Sequence, residues 1–438
     1  MKRLFSLMLL LLMTLCACGT AAKNQKPQPS VEQSPAPVDL YVVTSYGGSD
    51  GNRSNFEAAV KAYEASTGNV VIDGSAISNE GWKAKVLADF ETGSEPDVLF
   101  FFTNADAETI IQGRRVVSIE EIRQLYPEYA ANMKPSMLAQ AEDGNHYAVP
   151  ASGYWENLFV NKRVLEACGI PMPGADYTWE QFLADCAVIR DHGYTPIACS
   201  LYEVPHYLFE FAVMNNGSVQ EHLQVPVLDE SGKLADTGAA RRWIAALEDI
   251  RDLYQRGYFP ENTLTAADAQ TVAAFAEGKS AFLIDGSWRV GYFTEHYQDS
   301  LGDLAVTLVP AKGERKTTEA IGGISMGYFI TRKAWEDPAK RDAAVEFVTQ
   351  LTSDAVLSTF IRTEVTALKS GASPEGLNVL EQSAADANAL LTGVSGAVQD
   401  TISAEAKSTL FAGLQKVVTG RMTPEEAVEA AIQRNQRS

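Results

Sequence analysis

The sequence is poor in cysteine and histidine, with 5 of each in 438 residues. Beyond Cys16 and Cys18, near the start, only Cys168, Cys186 and Cys199 follow, an odd set that permits at most one internal disulfide. The spacing of a Cys-x-x-Cys zinc site and the His-Glu-x-x-His motif are both missing, which argues against a disulfide-stapled fold and against a metal site. We therefore expect no metal and no cofactor.

Positive charge is also scarce, because 36 Lys and Arg face 56 Asp and Glu, and the net charge is −20. The chain contains no basic run. Nucleic acids and anionic lipid surfaces attract basic patches, so neither is an expected partner. Contact with a membrane would then have to come from a covalently attached lipid.

A long apolar run occurs at the start of the chain, over residues 4–15, directly after Lys2 and Arg3. At about 12 residues it is shorter than the roughly 20 that a membrane-spanning helix needs. Two positive charges followed by a short apolar run and small residues are typical of an export signal. The pattern predicts a signal peptide over residues 1–17.

The stretch Leu15-Cys16-Ala17-Cys18 resembles a bacterial lipobox, which implies cleavage before Cys18 and lipidation of its thiol. The residues that follow are rich in Pro, Gln and Ser and nearly free of apolar side chains, so they cannot bury a core. We expect residues 18–37 to form a lipidated cysteine and a disordered tether. An ordinary disordered N-terminus is the alternative.

Two short motifs match enzyme signatures only in part. The sequence "GKS" at Gly278 resembles the end of a phosphate-binding loop, but Ala273 replaces the first glycine and a predicted helix precedes the motif instead of following it. The sequence "GISMG" around Ser325 resembles a nucleophile elbow, but it leads into a predicted strand, and the last histidine, His296, precedes the serine. Neither nucleotide binding nor serine hydrolysis is expected.

Pairs of carboxylates leave glycosidase activity open as a hypothesis. Glu203 with Glu210 is one such pair, and Asp285 could face another carboxylate across a cleft. The distance between two carboxyl groups decides whether they can hydrolyse a glycoside, and a sequence does not contain that distance.

The first hundred residues after the tether alternate strand and helix patterns. Apolar strands are predicted at 40–43, 70–72 and 98–101, and the two amphipathic helices between them end at Gly68 and Gly93. This alternation predicts an α/β fold with a doubly wound parallel sheet. The length, about 400 residues beyond the tether, suits two large lobes.

Polar and aromatic residues stand where several predicted strands end. They are Ser45 and Tyr46, Asn104 and Asp106, Tyr154 and Trp155, and Asp285 and Trp288. In open α/β sheets ligands bind beyond the carboxyl ends of the strands. Aromatic rings flanked by hydrogen-bonding side chains suit the faces and hydroxyls of a sugar. These residues therefore predict a sugar site, with core packing as the alternative for Tyr46 and Trp155.

The chain resembles the bacterial extracellular solute-binding proteins of ABC importers, in the carbohydrate-binding family that includes maltose-binding protein. The stretches that carry the resemblance occur in the family's order: "GSEPDVLFF", "GNHYAVPASGYWENLFVNKRVLEACGIPMPGADYTWEQF", "LEDIRDLYQRGYF", "FAEGKSAFLIDGSW", "GGISMGYFITRKAWEDPAKRDAAVEFVTQLTS" and "VVTGRMTPEEAVEAA". They extend over nearly all of the chain beyond the tether. The resemblance implies a two-lobed periplasmic-binding-protein-like α/β fold with the ligand cleft between the lobes.

The resemblance also implies where the lobes and the ligand contacts lie. One lobe would comprise residues 38–125 plus 305–350, and the other residues 126–304 plus 351–438. The family pattern puts a sugar-stacking aromatic at Trp288. It also implies polar contacts, which would come from Asn104, Asp106, Glu203, His206 and Tyr207.

The function that the resemblance implies is capture of an extracellular sugar or oligosaccharide and its delivery to a membrane permease, without catalysis. The protein would be a monomer held by its lipid on the extracellular face of the cytoplasmic membrane. The alternatives are a glycan-degrading lipoprotein, a binding protein for a non-sugar solute such as a polyamine or peptide, and a surface protein that binds another protein.

Overall fold

The structure is a computed structural model that describes residues 36–436 except 49, 104, 152 and 372–375. The predicted signal peptide, Cys18 and nearly all of the predicted tether lie outside the described residues. The chain from Pro37 onward forms one compact unit.

The strands belong to two sheets. They are β1 (Asp39–Val43), β2 (Val70–Asp73), β3 (Val98–Phe102), β4 (Val149–Pro150), β5 (Tyr154–Asn161), β6 (Thr195–Ile197), β7 (Ser280–Gly286), β8 (Leu304–Thr307), β9 (Glu319–Gly323), β10 (Met326–Ile330) and β11 (Gly393–Ser395).

Helices cover both sheets. The α-helices are α1 (Arg53–Thr67), α2 (Glu80–Thr92), α3 (Ala105–Gln112), α4 (Ile119–Leu125), α5 (Lys162–Ala167), α6 (Trp179–Asp191), α7 (His206–Asn215), α8 (Gly238–Gln255), α9 (Asp268–Ala276), α10 (Trp288–His296), α11 (Arg332–Glu336), α12 (Pro338–Leu351), α13 (Asp354–Phe360), α14 (Val379–Asn388), α15 (Ala404–Val418) and α16 (Pro424–Asn435). Short 3-10 helices span Pro135–Met137, Gln298–Asp303 and Val398–Thr401.

The predicted alternation of strand and helix from β1 to β3 is confirmed. α1 buries Phe56 and Tyr63 on one face and ends at Gly68, and α2 ends at Gly93. Both glycines adopt the left-handed conformation, with φ of 76° and 75°, which a residue with a Cβ adopts only at a cost. These two helix ends return the chain to the sheet.

The first sheet has the strand order β2-β1-β3-β10-β4. β1 runs parallel to β2 and β3, as predicted, but β10 runs antiparallel to β3 and β4, so the sheet is mixed and not wholly parallel. The reason is topological: β10 enters this sheet directly from β9 of the other sheet, without the crossover helix that a parallel neighbour requires.

The second sheet has the order β11-β9-β5-β7-β6, and β8 also pairs with β5. β5 is the central strand and runs antiparallel to β7, β8 and β9. Glu156 of β5 lies opposite Gly286 of β7, so the start of β5 and the end of β7 meet at one edge of the sheet.

The hydrophobic cores divide the chain into two lobes. The core of the first lobe draws on residues 38–151 and 324–368, and the core of the second draws on residues 154–321 and 380–432. The predicted limits, at 126, 305 and 351, differ from these. β8 and β9 hydrogen-bond to β5 of the second lobe, whereas β4 and α13 belong to the first. These pairings join segments far apart in sequence, which local patterns do not reveal.

The chain segments that connect the two lobes, here called passages, pack against one another at Gly153. Its amide donates a hydrogen bond to the carbonyl of Val365 at 2.6 Å. A Cβ at this position would lie 2.8 Å from the carbonyl oxygen of Gly323 and 2.8 Å from the Cβ of Val365. Ser325, in the neighbouring passage, lies between two strands instead of between a strand and a helix, so it does not occupy a nucleophile elbow.

The structure also bears on metals, membranes and disulfides. The described part of the chain contains no group of three His, Cys, Asp or Glu side chains arranged to hold a metal ion. None of the helices that the structure describes combines the length and the apolar character needed to cross a membrane. Cys168, Cys186 and Cys199 are buried free thiols.

Candidate ligand-binding site

Three aromatic side chains of the second lobe stand together at the edge where β5 begins and β7 ends. The ring of Trp288, the first residue of α10, lies 5.7 Å from that of Tyr207 on α7 and 6.4 Å from that of Tyr154 on β5. All three side chains are half-buried. The structure thus brings together three of the residues that the sequence predicted as ligand contacts, and we call them the aromatic wall.

The position of Trp288 depends on a glycine two residues earlier. Its ring packs directly over the backbone of Gly286, where a Cβ would approach the ring closer than real Cβ contacts allow. Asp285, one residue further back, is fully buried and accepts hydrogen bonds from the Gly286 amide and from Nε of Arg289, both at 2.7 Å. Arg289 also pairs with Asp268. The carboxylate of Asp285 therefore fixes the first turn of α10, which presents Trp288.

Two opposing effects nevertheless act on the pKa of Asp285. Burial raises the pKa of its carboxyl to about 6, and Arg289 only partly opposes that effect. The oxygens of this predicted ligand contact thus already bond within the second lobe, to the Gly286 amide and to Arg289.

Two further carboxyl groups lie buried beside the aromatic wall. Glu156 on β5 is 2% exposed and Glu210 on α7 is 0% exposed. Their carboxyl groups are close enough for each to affect the pKa of the other. Burial, with Asp285 and Asp400 nearby, raises the pKa of Glu156 to about 8, and burial beside Glu156 raises the pKa of Glu210 well above its usual value. At neutral pH these two groups hold at least one proton.

The first lobe contributes charged groups that reach this region. One carboxylate oxygen of Asp106, on α3, lies 3.4 Å from the ammonium nitrogen of Lys83 and 3.5 Å from that of Lys407 on α15 of the second lobe. Lys407 also lies 3.6 Å from Asp400. Lys83 stands over the ring of Phe102, 4.1 Å from its centre. The predicted contact Asp106 therefore forms an ion bridge between the lobes.

His206 lies at the start of α7, with its ring 4.0 Å from that of Tyr207. Burial, together with the positive charges of Lys83 and Lys407, lowers the pKa of the imidazole to about 3. The ring is therefore neutral at physiological pH and offers one hydrogen-bond donor and one acceptor.

Other predicted contacts lie away from the aromatic wall. Tyr46 is buried in the core of the first lobe, stacked on Phe100 at 4.8 Å. Trp155 is buried, and its indole nitrogen donates to the carbonyl of Thr363 at 3.0 Å. Both therefore pack in cores, the alternative that the sequence left open for them.

Three predicted ligand contacts remain: Ser45, Glu203 and Asn104. Ser45 is buried two residues after the end of β1. Glu203 is exposed, and its carboxylate accepts a hydrogen bond from the Asp268 amide at 2.7 Å, where α9 begins. Asn104 lies outside the described residues.

Sequence reasoning missed Lys83, Lys407, Asp400 and Arg289. Arg289 had a local signal, since it stands four residues after Asp285 on what becomes a helix, the spacing of an ion pair. Lys407 had none, because its partner Asp106 is 301 residues away.

The site can therefore stack a flat ring against Trp288 and offer buried acceptor oxygens beside it. Asp106 and Lys83 of the first lobe lie beside Lys407 of the second, so charged groups of both lobes meet near this site. This arrangement suits reversible capture of a small polar molecule.

Comparisons with known proteins agree with this fold. The family model described as bacterial extracellular solute-binding protein matches residues 47–357, well over half of the chain. A search of curated proteins finds no match. The chain superposes on a chitin oligosaccharide binding protein with a TM-score of 0.77 at 19% identity, covering 92% of this chain and 99% of that chain.

Two further solved structures are similar. A protein from work on xylan utilization by Caldanaerobius polysaccharolyticus gives a TM-score of 0.74 at 17% identity, with 90% of this chain and 99% of that chain covered. Maltose-bound MalE3 of T. maritima gives 0.71 at 17% identity, with 91% and 99% covered. At such identities the structures establish the fold, and they confirm the predicted two-lobed binding-protein architecture. The family match goes further: the chain belongs to the bacterial extracellular solute-binding protein family.

Proposed function

We propose that this protein is the substrate-binding component of an ABC importer, which captures an extracellular sugar or oligosaccharide and delivers it to a membrane permease. The observation that carries the proposal is the aromatic wall beside buried acceptor oxygens. An aromatic face packs well against the C–H groups of a sugar ring, and carboxylates accept hydrogen bonds from its hydroxyls. Similar structures have chitin oligosaccharide, maltose and acarbose in their names or titles, which agrees with this cargo.

Capture works by closure of the two lobes. A ring stacked on Trp288 of the second lobe would gain contacts with groups of the first lobe only when the lobes approach. A ligand that binds the closed arrangement better than the open one shifts the population toward it. The permease then recognises the closed, loaded form.

No covalent step is part of this function. Retaining glycosidases hold two carboxyl groups about 5–5.5 Å apart and inverting ones about 6.5–9.5 Å apart, to leave room for the sugar or water. Glu156 and Glu210 are instead both buried, at 2% and 0% exposure, and burial raises the pKa of each carboxyl group. Glu203, the other carboxylate considered with Glu210, is engaged at the start of α9. We infer binding without turnover.

The family is extracellular, and the finer location follows from the start of the sequence. The proposed signal peptide over residues 1–17 exports the chain, and the proposed lipid on Cys18 holds it at the extracellular face of the cytoplasmic membrane. Residues 18–37 act as the tether. The protein functions as a monomer beside its permease.

Thermal unfolding against a ligand panel tests the proposal. The protein without its first 23 residues is heated with mono- and oligosaccharides, polyamines and peptides. A ligand at about 100 times its dissociation constant adds roughly 2.7 kcal/mol to stability. We expect stabilisation by one class of sugar, with the sugar recovered intact. Stabilisation by peptides alone, or consumption of the sugar, would overturn the proposed function.

A further inference from the structure

The buried carboxyl group of Glu210 lacks a hydrogen-bond donor. Neither of its two oxygens meets an N–H or O–H group of the described residues, and Oε2 of Glu156 beside it is also without one. Glu210 is 0% exposed, so its carboxyl group does not face bulk solvent. A buried polar group without a partner is costly, which makes two such groups in contact a sign that a third partner binds there.

The charges around this pair are unbalanced. Glu210 on α7 is faced by Glu156 from β5, by Asp400 from the 3-10 helix Val398–Thr401 and by Lys407 from α15. Among the described residues, Lys407 is the cation that lowers the pKa of Glu210, and it also approaches Asp400 at 3.6 Å and Asp106 at 3.5 Å.

Neighbouring groups do not correct the imbalance. Glu156 is faced in addition by Asp285 from β7, which is already paired with Arg289 from α10. His206 is neutral at physiological pH. Within the part of the chain that the structure describes, the buried pair Glu156 and Glu210 is therefore surrounded by more carboxyl groups than cations.

The aromatic wall borders the same region. Tyr154 lies close enough to Glu156, Glu210 and Asp400 for all three to raise the pKa of its hydroxyl, and its ring neighbours Trp288 at 6.4 Å. The face of a Trp or Tyr ring attracts a cation. Carboxyl groups close to aromatic rings form an environment suited to a positively charged nitrogen.

We propose that the captured sugar carries a protonated amino group, which binds between the carboxylates of Glu156 and Glu210 and the ring of Trp288. This proposal rests on the proposed function and names the class of its ligand. An ammonium group supplies three N–H donors and a positive charge, so it satisfies the oxygens that now lack donors and allows both carboxyl groups to ionise. A neutral hydroxyl supplies one donor and no charge.

The protonation of the free site supports this assignment. Without ligand, burial and mutual proximity keep at least one of the two carboxyl groups protonated at neutral pH. A bound ammonium group favours ionisation of both, so binding releases protons to the solvent. A neutral sugar leaves that proton in place.

Calorimetry with matched sugars tests the proposal. The purified protein is titrated with glucosamine, galactosamine and β-1,4-linked glucosamine oligomers, with the N-acetylated form of each, and with spermidine. The pH is one at which the free amines are already protonated. We expect an amino sugar to bind at least tenfold more tightly than its N-acetylated form. The binding heat should vary with the ionisation enthalpy of the buffer, as proton release requires.

Variants make the assignment specific. Glu210→Gln should abolish the tenfold preference for the amine and the proton release, while binding of N-acetylated sugar persists. Glu156→Gln is the second variant and should show the same two losses. It takes the place of Glu210→Gln if that variant does not fold. Exposed Glu230, changed to Gln, is the matched control and should behave as the unaltered protein.

The possible outcomes separate this proposal from the proposed function. Equal or tighter binding of N-acetylated or hydroxyl sugars would overturn the amine assignment and leave sugar capture standing. Binding of spermidine alone, with proton release and loss in Glu210→Gln, would support the cation site but refute a sugar cargo. No binding to any member of the panel would count against both.

Discussion

Lys407 holds its ammonium nitrogen 3.5 Å from a carboxylate oxygen of Asp106, a residue 301 positions earlier in the chain. Asp106 belongs to α3 of the first lobe and Lys407 to α15 of the second, and both side chains are nearly inaccessible, at 6% and 4% exposure. Lys83 of the first lobe lies 3.4 Å from the same oxygen. One carboxylate thus joins cations of both lobes and stabilises their contact.

The first prediction is that Asp106→Asn favours the open arrangement. Removing the carboxylate leaves two ammonium groups close together when the lobes touch, whereas separation returns them to water. We expect closure to become less favourable by about 2 kcal/mol, which weakens ligand binding roughly 30-fold. Small-angle X-ray scattering of the ligand-free protein should show a larger radius of gyration.

Asp89→Asn is the matched control. Asp89 pairs with Lys85 at 2.6 Å within α2, on the surface of one lobe, and exposed pairs of this kind contribute little. Its scattering curve and affinity should equal those of the unaltered protein. An unchanged radius for Asp106→Asn would contradict the bridging role.

The second prediction concerns the passage between the lobes at Gly153. A Cβ there would lie 2.8 Å from the carbonyl oxygen of Gly323, so Gly153→Ala must push two passages apart. Overpacking of this kind costs about 1–3 kcal/mol. Denaturant unfolding should show that loss. Gly302→Ala should not lower the stability, because a Cβ at Gly302 would have no atom within 4 Å beyond its own chain neighbours. Equal stability of the two variants would contradict close packing at Gly153.

The sequence predicted well the features that depend on neighbours in the chain. The alternation from β1 to β3 follows from local periodicity, and Trp288 follows β7 directly, so its place at a strand end was visible. The lobe limits were not, because β8 and β9 join the second lobe through hydrogen bonds to β5, more than 140 residues earlier.

The buried aromatics show the same limit. The ring of Tyr46 is surrounded by Phe56, Phe100 and Phe360, and the last of these is far away in the sequence. Nothing near position 46 distinguishes this core position from a ligand-facing one. Likewise, the charge balance around Glu210 depends on Asp400 and Lys407, which only the folded chain brings near.

The third prediction is that Trp288→Ala weakens sugar binding by about 1 kcal/mol or more, since a stacked ring loses its partner. Trp288→Phe should recover part of the loss. Tyr202→Ala is the control, because Tyr202 is an aromatic residue with 57% exposure in the segment just before α7. Titration calorimetry measures all three variants, and unchanged affinity for Trp288→Ala would refute stacking at this position.

The fourth prediction is that Cys18→Ser releases the protein from the membrane. A serine hydroxyl does not replace the thiol that lipidation requires, and a net charge of −20 gives the chain no other attraction to an anionic surface. Cell fractionation followed by detection of the protein in the medium measures the release. Cys168→Ser, which alters a buried thiol of the second lobe, should leave the protein with the membrane. Retention of Cys18→Ser would refute the lipid anchor.

The fifth prediction is a pH dependence of stability that originates at Glu156 and Glu210. Their raised pKa values mean that the folded protein binds more protons than the unfolded chain, from the ordinary glutamate range near 4.5 up to about 8 for Glu156. The free energy of unfolding therefore falls as the pH rises through this window. Thermal unfolding of the ligand-free protein should show it as a lower midpoint at pH 8 than at pH 5.5.

Glu210→Gln isolates this effect from other titrating groups. The lowered pKa values of His206 and His222 act in the opposite direction, because the unfolded chain takes up protons at these residues as the pH falls below about 6.5. These histidines are present in both proteins, so their contribution cancels in the comparison. The variant lacks the Glu210 carboxyl group, whose pKa burial raises, so its midpoint should fall less between pH 5.5 and 8, by at least about 2 °C. Parallel curves for the two proteins would show that the carboxyl pair does not titrate as its burial requires.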